Sequence, residues 1–273
     1  MALSFIKMHG LGNDFVILDG RAITIRLPSA AITKICDRRF GIGCDQLIVM
    51  EPSTKADVFM RIYNADGSES ASCGNATRCV AWLIMQESSK NDVSVETKVG
   101  LLNCKQTGDQ RVMVDMGAPI FDWRNIPLSN EVDVNHVELG PQYSILGAAS
   151  VLSMGNPHAV FIVSDASAID LAKLGPELEN HPLFPERANI SIAQVIAPDR
   201  IKLRVWERGA GTTLACGTAA CAALVACARK GLASRIAKVS LPGGDLDIRW
   251  DEATGHVVMT GGVALVFEGQ WHG

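Results

Sequence analysis

Two Cys-Gly pairs, Cys73-Gly74 and Cys216-Gly217, stand 143 residues apart in this chain of 273, and each opens a run of small and apolar residues. A cysteine at the mouth of a helix lies beside amides that have no intrahelical acceptor and carry the positive end of the helix dipole. That setting binds a carboxylate and lowers a thiol's pKa. Glycine in the next position lets a ligand approach the backbone closely. Each pair therefore reads as one acidified thiol beside an anion-binding helix end. Two such sets facing one bound carbon would invert it. One thiolate removes the α-proton, the opposite thiol returns a proton to the other face, and the helix ends hold the carboxylate as carbanion charge builds. The expected chemistry is racemisation or epimerisation of an amino acid by Cys73 and Cys216.

Other chemistries find less support. The sequence has no GxSxG elbow, HExxH pair or GxxxxGK[ST] loop, and Gly10-Leu11-Gly12 and Gly41-Ile42-Gly43 lack the third glycine of a dinucleotide fingerprint. No lysine stands in company that marks a Schiff base. The eight cysteines (36, 44, 73, 79, 104, 216, 221 and 227) include no CxxC pair, so neither a zinc site nor a thioredoxin-type centre is expected. No metal and no cofactor are implied. The net charge of −4, without a Lys/Arg cluster, argues against nucleic acid and for a small-molecule ligand. The N-terminal Met-Ala-Leu-Ser-Phe-Ile-Lys is too short in apolar length for a signal peptide, and no run is long enough to span a bilayer. A cytoplasmic protein with reduced thiols, away from membranes, is expected.

The elements that must position the two thiols are themselves repeated. The same offset of 143 sets Gly12-Asn13 on Gly155-Asn156, Leu47-Ile48-Val49 on Ile190-Ser191-Ile192 and Met60-Arg61-Ile62-Tyr63 on Leu203-Arg204-Val205-Trp206, without a gap, and matches Gln46 with Asn189. Agreement over separated segments points to duplicated halves. Their boundaries are expected at 1–118 and 119–262, with a last strand within 263–273 returning to the first half. Short β-type runs dominate: 15–18, 58–63, 93–95, 111–116, 159–163, 201–206 and 256–260. Asn75 to Gln86 and Thr218 to Lys230 are instead helical in composition and nearly apolar all round, so they must be enclosed. The fold class expected is α+β, with two pseudo-symmetric domains, each a curved and mainly antiparallel sheet wrapped around one central helix.

The halves diverge at Asn64 and Ala65 against Glu207 and Arg208. Glu207 and Arg208 could grip an ammonium and a carboxylate, as a substrate with a second amino-acid end would require. The plainer reading is a polar turn and a solvated ion pair worth little energy.

Met8-His9-Gly10-Leu11-Gly12-Asn13-Asp14-Phe15, Asn64-Ala65-Asp66-Gly67-Ser68, Cys73-Gly74-Asn75, Gly155-Asn156-Pro157-His158 and Glu207-Arg208-Gly209-Ala210-Gly211 through Cys216-Gly217-Thr218 resemble, in order and nearly end to end, the signatures of diaminopimelate epimerases. The resemblance implies interconversion of LL- and meso-diaminopimelate without pyridoxal phosphate or metal, in bacterial lysine and peptidoglycan-precursor synthesis. It puts the proton donor at Cys73 and the acceptor at Cys216 in the LL-to-meso direction. Substrate-binding positions fall on Asn13, Gln46, Asn64, Gly74, Asn75, Asn156, Asn189, Glu207, Arg208, Gly217 and Thr218. His158 and Glu207 match thiol-tuning positions; an imidazolium would favour a nearby thiolate and a carboxylate would oppose it. A homodimer is implied, with Phe267 where relatives often carry a tyrosine at the dimer contact. Ala76-Thr77, Thr212 and Ala219 depart from residues common in the family. The residues by themselves leave open a proline or hydroxyproline racemase, a redox protein cycling Cys73 and Cys216 through a disulfide, and a binding module without chemistry.

Overall fold

The computed structural model describes residues 2–273. The strands, numbered along the chain, are β1 (Leu3–Gly10), β2 (Asn13–Asp19), β3 (Gln46–Glu51), β4 (Val58–Asn64), β5 (Glu69–Ser70), β6 (Asp92–Thr97), β7 (Gly100–Gly108), β8 (Arg111–Asp115), β9 (Ser150–Ser153), β10 (Pro157–Ile162), β11 (Asn189–Ala197), β12 (Arg200–Glu207), β13 (Gly211–Thr212), β14 (Ile236–Leu241), β15 (Gly244–Trp250), β16 (Val257–Gly262) and β17 (Ala264–Trp271). The α-helices are α1 (Ser29–Cys36), α2 (Gly74–Ser88), α3 (Leu171–Glu179) and α4 (Gly217–Arg229). The chain divides into two compact units. One holds the residues up to Asp115 with Thr260–Gly273, and the other holds Met116–Met259. These divisions fall three residues before the boundaries of 118 and 262 read from the repeat.

In the first unit the pairing runs β17, β1, β2, β3, β4, β6, β7, β8. All of these contacts are antiparallel except β2 with β3 and β4 with β6. The second unit runs β9, β10, β11, β12, β14, β15, again with two parallel contacts, β10 with β11 and β12 with β14. Parallel neighbours need a crossover, and each unit makes two. In the first, α1 lies between β2 and β3 in sequence and α2 between β4 and β6; α3 and α4 occupy the same places in the second. Sequence reasoning expected only the enclosed helix of each pair. It overlooked α1 and α3 because eight or nine residues hold too few turns to reveal a helical period.

The register repeats with the offset. Phe15 stands opposite Gln46 as His158 stands opposite Asn189, and Leu47 opposite Tyr63 as Ile190 opposite Trp206. Beyond the central helix the offset becomes 144: Val58 pairs with Val95 and Ile201 with Val239. One residue is therefore inserted in the second unit between helix and strand, where it disturbs neither register nor site.

Both faces of the parallel strands are covered. Phe15 through Leu18 and Leu47 through Met50 are all buried, the usual state of parallel strands with a layer on each side. Val16, Leu18, Leu47 and Val49 pack with Ile32 and Ile35 of α1. Their offset partners Ala159, Phe161, Ile190 and Ile192 pack with Leu171 and Leu178 of α3. On the other side α2 lies against β1, β2, β4, β6, β7 and β8, and α4 against β9, β10, β11, β12, β14 and β15. A sheet that meets one helix along so many strands must curve around it. Gly217 through Cys227 of α4 are all buried, and most are Ala or Cys. Small side chains let the strands approach closely, and a larger residue would overpack at about 1–3 kcal/mol. Among the described residues no helix is long and apolar enough to cross a membrane.

Candidate functional site

In the first unit, Leu11 and Gly12 have positive φ, 57° and 82°, and close the hairpin between Gly10 and Asn13. This two-residue loop matches the twist of paired strands and sets Asn13 at the start of β2. Cys73 is the N-cap of α2, with extended backbone and a carbonyl that accepts the Thr77 amide at 2.9 Å. Its half-buried Sγ lies 3.8 Å from Asn13 Oδ1, and Asn75 Nδ2 donates to the same oxygen at 3.1 Å. Behind them the fully buried Arg78 donates from Nη2 to Asn75 Oδ1 at 3.0 Å. Gly10 leaves room for that guanidinium, since a Cβ there would lie 2.9 Å from Arg78 Nη2.

Asn13 is held from its other end. Its Nδ2 donates to Asp45 Oδ2 at 2.9 Å, and Asp45 also accepts Arg38 Nη2 at 2.7 Å. Next to it, Asp14 accepts Lys7 Nζ at 2.6 Å and both terminal nitrogens of Arg38 at 3.0 and 2.6 Å. Burial alone would raise the Asp14 carboxyl, but these hydrogen bonds and charges outweigh it and hold it at about 2. On the neighbouring strands, Gln46 Nε2 donates to Asn64 Oδ1 at 3.0 Å, and Asn64 Nδ2 donates to Ser68 Oγ at 3.0 Å. Gln46 Oε1 is buried and has no hydrogen-bond partner among the described residues, which leaves an acceptor for a ligand N–H.

In the second unit, Gly155 takes φ 88° in the turn before β10 and places Asn156 as Gly12 places Asn13. Cys216 caps α4, and its carbonyl accepts the Ala220 amide at 3.1 Å. The thiol is only 4% exposed. Thr218 Oγ1 lies 3.6 Å from Cys216 Sγ and accepts Asn156 Nδ2 at 3.3 Å. Asn156 Oδ1 in turn lies 2.9 Å from His158 Nε2. Glu207 accepts the Thr213 hydroxyl and faces Cys216.

Two electrostatic expectations change here. Cys216 is not acidified in the free chain. Burial first, then the charge and hydrogen bonding of Glu207, push its thiol well above the ordinary value, and the Thr218 hydroxyl and Ala219 amide only partly oppose them. The helix end does favour the thiolate, but a fully enclosed sulfur beside a carboxylate loses more from desolvation and like charge. His158 does not supply an imidazolium either. Complete burial, with the Arg208 charge adding to it, lowers its pKa to about 3, so the ring is neutral.

Arg208 and Asn189 meet through a backbone bond. Asn189 Oδ1 accepts the Arg208 amide at 3.0 Å while its Nδ2 donates to Pro157 O at 2.9 Å. The Arg208 side chain donates to Glu186 O at 3.0 Å. Glu179 at the end of α3 pins the same turn by accepting Trp206 Nε1 at 2.7 Å and the Gly209 amide at 2.9 Å. The close approach of α3 to Trp206 requires Gly175, whose Cβ would come within 2.4 Å of the ring. Phe267 lies on β17, 47% exposed, edge-on to Phe5 with centroids 5.9 Å apart.

The structure thus gathers Asn13, Cys73, Gly74 and Asn75 at one helix end and Asn156, His158, Glu207, Cys216, Gly217 and Thr218 at the other. Gln46 with Asn64, and Asn189 with Arg208, form separate pairs. Sequence reasoning missed Asp45, Arg78 and Glu179. Arg78 had a visible signal, a charge inside an apolar helix that must be enclosed. Asp45 and Glu179 had none, because each acts on a residue distant in sequence.

The sequence matches the family described as diaminopimelate epimerase over residues 5–121 and again over 150–266, one stretch in each half of the repeat. It is 54% identical over 272 residues to a diaminopimelate epimerase from Rhodospirillum centenum, covering 99% of this chain and 92% of that one. It is 52% identical over 271 residues to the diaminopimelate epimerase of Acidiphilium cryptum, covering 98% and 96%. A crystal structure of a PhzF-family phenazine biosynthesis protein from Enterococcus faecalis superimposes with a TM-score of 0.71 over the full length of both chains at 15% identity, which shows a shared fold.

Proposed function

Since the chain belongs to the diaminopimelate epimerase family, we propose that it interconverts LL- and meso-diaminopimelate with Cys73 and Cys216 as its two acid–base groups. It does so as a cytoplasmic homodimer serving lysine and peptidoglycan-precursor synthesis. The observation that carries this reading is the repeated N-cap cysteine, each followed by a buried glycine that opens an enclosed helix, in a chain so similar to named epimerases over its whole length.

Each group has a task. The amides that open α2, and those that open α4, each offer donors to a substrate carboxylate, whose charge grows as an α-proton leaves. In the LL-to-meso direction Cys216 takes the α-proton and Cys73 supplies the replacement. Because Cys216 rests as a thiol, Glu207 serves as the group to which it gives up its proton beforehand, and the Thr218 hydroxyl and Ala219 amide then steady the sulfur anion. Asn64 with the free acceptor of Gln46 in the first unit, and Glu207 with Arg208 in the second, are polar groups suited to a substrate bearing a second amino-acid end. Arg208 is carried to its place by Asn189. A proline-type racemase would leave that set without a ligand.

NMR of diaminopimelate incubated with the protein in deuterated water tests substrate, reaction and mechanism together. The α-proton signal should disappear while both stereoisomers accumulate. An unchanged α-proton signal would overturn the assignment. If proline loses its α-proton instead, the racemase reading takes its place.

A further inference from the structure

Asn13 and Asn156 occupy equivalent positions, yet their amides face the cysteines with opposite atoms. Asn13 turns its oxygen toward Cys73 Sγ, and because a carbonyl oxygen can only accept, the sulfur must be the donor. Asn156 turns its oxygen away, to His158 Nε2 at 2.9 Å. That contact requires the proton on Nε2. Its Nδ2 donates to Thr218 Oγ1 at 3.3 Å, which leaves the Thr218 hydroxyl hydrogen free for Cys216 Sγ at 3.6 Å. The Nδ1 atom of His158, buried and without a hydrogen-bond partner among the described residues, is then an unprotonated lone pair.

The residues that fix the two orientations are also offset partners. Position 158 is histidine where the first unit has Phe15, which cannot donate. Position 45 is aspartate, which takes the Asn13 Nδ2 at 2.9 Å, where the second unit has Ala188, which cannot accept. We propose that Asp45 and His158 are positioning residues that turn the paired amides in opposite senses, so that Asn13 offers an acceptor to the Cys73 thiol and Asn156, through Thr218, a donor to the Cys216 thiolate. This rests on the epimerase reading above and adds to it a structural cause for the unequal roles of two repeat-related thiols.

The equilibrium constant fixes the ratio of kcat/KM in the two directions for every variant, so rates alone cannot locate the effect. The α-deuterium isotope effect on kcat/KM, measured from the LL and from the meso substrate, can. Thr218→Val should lower kcat about tenfold or more, the effect of a hydrogen bond to a charged atom, and Thr218→Ser should restore most of it. His158→Phe should enlarge the isotope effect from the substrate whose proton Cys216 removes and leave the other direction without an increase. His158→Gln, which keeps an N–H for Asn156, should reverse most of the change in the isotope effect that His158→Phe produces. Asp45→Ala should give the mirror pattern. Changes equal in both directions, or confined to KM, would overturn the proposal while wild-type epimerisation still upheld the function. If His158→Phe fails to fold, long-range 1H–15N correlation on the wild-type imidazoles decides: an Nε2–H tautomer at His158 supports the proposal and an Nδ1–H tautomer overturns it. No α-proton exchange by the wild-type protein would sink the function itself.

Discussion

The mouths of α2 and α4 share a backbone and differ in their electrostatics. In both, a cysteine with extended backbone caps the helix, a glycine follows it, and an asparagine arrives from a turn built on a glycine of positive φ. At α2 the sulfur is half-buried among amides, with a fully buried guanidinium behind them. At α4 the sulfur is enclosed and meets a hydroxyl and a carboxylate, and the position of Arg78 is taken by Cys221. Duplication keeps what the backbone needs, namely register, turn and cap. A few side chains then set each thiol's surroundings, and at Cys216 they raise its pKa, because desolvation and nearby charge shift a pKa far more than the ends of two similar helices can differ.

The comparison breaks most sharply at the sulfurs. Cys73→Ser and Cys216→Ser should each reduce epimerisation by about a thousandfold or more, measured as conversion of LL to meso substrate, because in the proposed mechanism each removes one of two proton carriers. If either variant retained near-normal turnover, the two helix mouths would not both serve the reaction. Glu207→Gln should come next, with a loss of kcat of about tenfold to a hundredfold. Removing its negative charge lowers the Cys216 pKa, so the alkaline rise of the pH–rate profile should move to lower pH. A profile unmoved by the substitution would separate Glu207 from Cys216.

Two stability measurements sharpen the contrast. His158 is buried neutral, with its pKa lowered to about 3 from an ordinary value of 6.5. The unfolded chain therefore binds more protons between those values, and the stability contributed by the neutral ring is complete above pH 6.5 and lost as pH falls toward 3. His158→Phe, the residue of the first unit, should flatten the fall in Tm between about pH 6.5 and 4.5, a window above the titration of Asp14 near 2. An unchanged slope would mean that the ring is not desolvated. The smallest effect belongs to the turn. A Cβ on Gly155 meets nothing within 4 Å, so Gly155→Ala should cost only the strain of φ 88°, about 1 kcal/mol by denaturant titration. A cost several times larger would point to a steric role instead.

Two equivalent helix ends were legible before the fold because Cys-Gly at one fixed spacing, with Asn13 and Asn156 at the same spacing, marks them in the chain itself. The enclosed helices were legible from the lack of a polar face. The amino-acid order also carried the duplication, since strand register depends on alternation and survives as one offset up to the enclosed helix. Tertiary structure alone decided the rest. The crossovers α1 and α3, the grip of Asp45 on Asn13 and of Glu179 on the Gly209 turn, the turned amide of Asn156, the raised Cys216 and the neutral His158 all depend on atoms brought together from distant parts of the chain. Residue type and spacing can announce a thiol, but its proton affinity belongs to the low-dielectric surroundings that folding assembles around it.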